Sequence, residues 1–76
     1  MDGYSMGEIK ELAFGFARDA YNALSEIEQV TADDIQRLTE FALDTFACYD
    51  FFNSGDVDYA ENIIRRELKN LINDSN

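Results

Sequence analysis

The sequence contains no proline, no histidine and no tryptophan, and its single cysteine is Cys48. A lone cysteine excludes an internal disulfide, and without histidine a structural zinc site is excluded in practice. Missing histidine also removes the commonest general acid–base group. Cys48 has no evident activating partner and there is no glycine-rich phosphate loop, so catalysis is not expected and no cofactor is implied. No apolar run approaches the roughly 20 residues that a membrane span requires. Met1-Asp2-Gly3-Tyr4 lacks the basic and apolar regions of a signal peptide. The expectation is a cytoplasmic protein with Cys48 reduced.

Basic residues are scarce as well. Six lysines and arginines stand against sixteen acids, a net charge of −10. That balance disfavours direct binding of DNA, RNA or anionic lipid, because phosphate contact relies on cations that displace counterions. It suits a basic surface on another protein, a cation, or solubility alone. What is present is globular in kind: aliphatic and aromatic residues make up 46% of the chain, unlike a disordered acidic tail. Its 76 residues allow a single domain. A chain this short buries only about 60% of its unfolded surface, so stability of a few kcal/mol is expected.

Punctuation comes from caps and glycines. Ser5-Met6-Gly7-Glu8 has the form of a capping box. Behind it Ile9, Leu12, Ala13, Phe16, Ala20, Ala23, Leu24 and Ile27 recur at helical spacing, predicting a first helix over about 6–28. Thr31-Ala32-Asp33-Asp34 is a variant of the box, with Val30 placed to staple onto Ile35. The second helix, about 32–53, carries Ile35, Leu38, Phe41, Ala42, Phe46, Tyr49 and Phe52 on one broad face. Asn53-Ser54-Gly55 reads as its stop, Gly55 suiting a C′ position. Asp58-Tyr59-Ala60-Glu61 opens a third helix, about 58–73, bearing Ala60, Ile63, Ile64, Leu68 and Leu71. Arg65, Arg66 and Lys69 fall in its second half, where they suit the helix dipole. Strand signals are absent, and the fold class is all-α: a compact antiparallel three-helix bundle.

At 100° per residue the second helix turns Asp33, Arg37, Glu40, Asp44 and Phe51 away from a stripe centred on Leu38, Ala42 and Tyr49. One explanation is an ordinary solvated ridge with a local Asp33–Arg37 ion pair. The other is a binding patch: Glu40 and Asp44 are like charges at i,i+4, which oppose helix stability, and Phe51 stands beside the acids as an aromatic anchor. On the first helix, Phe14 and Tyr21 lie well off the main stripe. They fit a helix touching both neighbours, with a homodimer seam as the alternative. Between Leu38 and Ile64 there is no lysine or arginine, while Glu40, Asp44, Asp50, Asp56, Asp58 and Glu61 all fall there.

The stretch Asp50–Glu61 also resembles the EF-hand calcium loop, D-x-[DN]-x-[DN]-G-x5-E. Asp50, Gly55, Asp58 and Glu61 match loop positions 1, 6, 9 and 12, Ser54 is tolerable at 5, and Asp56 would offer its carbonyl. Phe52 replaces the oxygen ligand of position 3, Asn62 stands where an apolar residue is usual, and a capped helix start accounts for the same residues without metal.

Small size, acidity and the absence of proline give the whole chain the general character of small phage-encoded inhibitors, and it resembles acidic anti-CRISPR and anti-restriction proteins in that character alone, with no shared motif. The resemblance implies an inhibitor that occupies a nucleic-acid-binding surface by imitating nucleic acid. The leading expectation is thus an acidic inhibitor or adaptor docking on a basic protein surface through Asp33, Glu40, Asp44, Asp50, Phe51, Asp56 and Asp58. The alternatives are a calcium-binding module at Asp50, Ser54, Asp56, Asp58 and Glu61, and a homo-oligomeric helical adaptor joined through Phe14, Tyr21 or Phe51.

Overall fold

The computed structural model describes residues 5–47 and 54–75. Helix α1 runs over Met6–Ser25, α2 over Ile35–Ala47 and α3 over Ser54–Ser75, and all three pack on one another as an all-α three-helix bundle. No strand occurs among the described residues. The molecule is a short rod with principal extents of 42 × 19 × 16 Å.

The first helix starts where its sequence requires. Ser5 Oγ accepts from the Glu8 N–H at 3.2 Å, and Glu8 Oε1 accepts from the Ser5 N–H at 3.1 Å. Two of the donors that a helix N-terminus leaves unpaired are thereby satisfied. The helix stops at Ser25, earlier than the apolar spacing predicts. Glu26 and Glu28 would place two carboxylates at the negative end of the dipole, and no base occupies the last turn to offset them. The chain tightens instead: the Ile27 N–H donates to Leu24 O at 3.0 Å, while Ser25 Oγ donates to Asn22 O at 3.0 Å.

The second helix is led in by a 3₁₀ turn, Ala32–Asp34. Asp34 Oδ2 accepts from the Thr31 N–H at 2.9 Å, and Val30 and Ile35 both join the core below. The expected end of α2 at about 53 lies outside the described residues, and α3 begins at Ser54, four residues ahead of the expected Asp58. Gly55 is therefore inside the first turn of α3 and is not the stop of α2. Asp56 in that first turn favours the earlier start, because a carboxylate is stabilised near the positive end of the dipole.

The core is built from small residues on α1 and larger ones on α3. Ile9, Ala13, Ala17 and Ala20 meet Leu38 and Ala42 of α2 and Ala60, Ile63, Ile64, Leu68 and Ile72 of α3. Phe14 and Tyr21 are half-buried against this core, as expected of a helix that touches both neighbours. Lys10 Nζ lies 5.8 Å from the Phe14 ring centroid, one helical turn away. Across the bundle, Arg18 Nε donates to Glu67 Oε2 at 2.9 Å and ties α1 to α3.

Candidate functional site

Helix α2 shows a buried side of Leu38, Thr39 and Ala42 and an exposed side that carries Glu40 and Asp44. Of the expected ridge, Asp33, Arg37, Glu40 and Asp44 are exposed, Asp33 in the 3₁₀ turn before α2. Its charge pairing differs. Arg37 Nη2 donates to Asp34 Oδ1 at 2.9 Å and to Glu28 Oε1 at 3.2 Å, so Asp34, and not Asp33, is its partner. Asp34 and Arg37 are three positions apart at the start of α2, a spacing at which side chains on a helix are neighbours. Arg37 is the only base of α2, and its charge is thus committed to carboxylates of the same chain. Glu40 is held by a neutral donor, Gln36 Nε2, at 2.7 Å. The outward face of α2 is acidic on balance.

Other residues named from the sequence separate from this ridge. Asp50 and Phe51 lie outside the described residues. Asp56 and Asp58 belong to α3, Asp56 half-buried and Asp58 exposed. Of the stretch compared with the calcium loop, the part from Ser54 onward is α-helix, which strings Asp56, Asp58 and Glu61 along a rod, while Asp50 lies outside the described residues. Glu61 Oε2 instead accepts from Arg65 Nη2 at 2.7 Å, one turn along the helix. Among the described residues no group of three or more cysteine or carboxylate side chains is placed to hold a metal ion, and no helix is long and apolar enough to cross a membrane.

Two residues of the apolar helical spacing are on the surface. Phe41 is 59% exposed and Ile27 is 81% exposed. Together with Ala20, Ala23, Leu24 and Leu38 they line a cleft of about 230 Å³ between the end of α1 and the first half of α2, with Arg37 along one side. Phe41 is thus an exposed aromatic that follows Glu40 in the chain and stands three positions before Asp44. A signal for the cleft was available: Glu26 and Glu28 argue for a helix end before Ile27, and Phe41 sits at the edge of the apolar arc of α2. No protein-family model, curated protein or solved structure matches the chain.

Proposed function

We propose that the chain is a small acidic binding protein, an inhibitor or adaptor and not an enzyme, that docks the outward face of α2 on a basic surface of another protein. The observation that carries this is the fate of Arg37. With the helix's one base held by Glu28 and Asp34, the exposed Glu40 and Asp44 leave the outward face of α2 negative on balance. Such a face is attracted to a lysine- and arginine-rich surface over a Debye length and is repelled by nucleic acid itself. Glu40 and Asp44 lie one helical turn apart, about 5–6 Å between Cβ atoms. On a nucleic-acid-binding partner they would occupy phosphate positions, as in the acidic anti-CRISPR proteins that the chain resembles in general character.

The test is capture from nuclease-treated lysate with the wild-type chain and with the Glu40→Lys/Asp44→Lys double variant. The expected outcome is a nucleic-acid-binding protein retained by wild type, released as salt rises, and missing from the variant. Equal retention by both chains would remove the acidic face as the contact.

A further inference from the structure

The cleft between α1 and α2 adds a partner chemistry to the docking reading, on which this inference rests. We infer that the cleft receives an apolar side chain carried on a lysine- or arginine-rich amphipathic helix of the partner protein. At about 230 Å³ the cleft lies below the roughly 300–1,000 Å³ of sites that enclose a small-molecule ligand, and it suits a single large side chain. It runs between two helices, the shape into which a third helix lays an apolar face. Ala20 and Ala23 keep its α1 wall low, and Ile27 and Phe41 stand at its mouth largely in solvent.

Charge selects the occupant. Glu28 and Asp34 hold the one cation in the lining, Arg37, and Glu40 precedes Phe41 on the chain with Asp44 three positions beyond it. A second copy of the chain docked here about a two-fold axis would bring these carboxylates against their own equivalents. With a net charge of −10 on each copy, that arrangement is disfavoured. An anionic membrane is disfavoured for the same reason. A basic helix reverses the sign at every one of these positions, while Phe41 and Ile27 give the contact a part that salt does not screen.

The experiment uses two synthetic lysine-rich peptides of one composition, the first with leucines at i, i+3, i+4 and i+7 and the second in scrambled order. Each is titrated by fluorescence anisotropy at about 150 mM salt into wild type, Phe41→Ser/Ile27→Ser and Glu40→Lys/Asp44→Lys. Amide shifts are mapped in parallel by NMR. The expected result is that the amphipathic peptide binds wild type roughly tenfold more tightly than the scrambled one. Its shifts should centre on Ala20, Leu24, Leu38 and Phe41, and the Phe41→Ser/Ile27→Ser variant should lose the preference while still binding both peptides weakly. Because both replaced side chains are already exposed, the variant keeps its fold, which the amide spectrum verifies. Equal binding of the two peptides to wild type, no binding of either, or shifts elsewhere would overturn the cleft as the site. So would a wild-type dimer in sedimentation that Phe41→Ser dissociates, which would put a second copy in the cleft. Equal binding that the charge-reversed chain loses would leave the acidic docking face standing. Binding that ignores charge reversal would remove the acidic face and leave the cleft.

Discussion

Gly15 lies on the exposed side of α1, and nothing stands within 4 Å of the place a Cβ would take. The helix therefore carries the entropic penalty of a glycine at a position that does not need one. Gly15→Ala should raise stability by about 0.5–1 kcal/mol, seen as a higher urea midpoint at an unchanged slope. An unchanged or lower midpoint would mean that the backbone there is held in a way the space around it does not show. Thr39 presents the opposite case. It is fully buried at 0% exposure, and its hydroxyl has no hydrogen-bond partner among the described residues. A buried donor without a partner keeps its desolvation penalty, whereas a valine of the same shape does not. Thr39→Val should stabilise by about 1 kcal/mol, or roughly 4–8 °C in melting temperature for a domain of this size. A loss of stability would show that the hydroxyl is satisfied after all.

Single residues of this kind act through the helices that hold them, and the helices were legible from the sequence to different depths. Ser5 and Glu8 were plain because a capping box is local: both halves of the contact are three residues apart. Glu67 was not, since a carboxylate on a helix reads as solvent-facing until its partner from another helix is known. It is 8% exposed and meets Arg18 across the bundle, forty-nine positions away. The early start of α3 was hidden for a different reason. Gly55 fits either a helix stop or a first turn, and the dipole preference of Asp56 decides between them only weakly. The exposure of Phe41 was hidden because spacing gives a direction on the helix and not the extent of its neighbours. The Arg18–Glu67 link makes its own prediction. The Arg18 side chain is 63% exposed, so solvent screens the pair and its coupling should be about 1 kcal/mol, well short of a buried ion pair. Arg18→Met alone leaves the Glu67 carboxylate in an apolar setting, and adding Glu67→Met should recover most of the lost stability. A urea double-mutant cycle reads this directly, and strict additivity would deny the contact.

At the scale of the whole molecule, charge and stability pull against each other. Arg18, Arg37 and Arg65 are engaged in ion pairs, yet the net charge remains −10 on a rod 42 Å long. At ~10 mM salt the Debye length is about 30 Å, so most carboxylates act on one another across the structure; at ~150 mM it is about 8 Å, and they act only on near neighbours. Added salt has two effects of opposite sign. It weakens the exposed pairs, each worth at most about 1 kcal/mol and partly screened already, and it relieves repulsion summed over a large excess of acids. The second effect should win. The melting temperature should rise between ~10 and ~150 mM sodium chloride. In Glu40→Lys/Asp44→Lys, whose net charge is −6 against −10 in the parent, the rise should be smaller. A melting temperature that falls with salt would show that the ion pairs outweigh the repulsion. A rise of equal size in both chains would mean that Glu40 and Asp44 contribute little to the strain, and the outward face of α2 would then hold its charge at no expense to the fold.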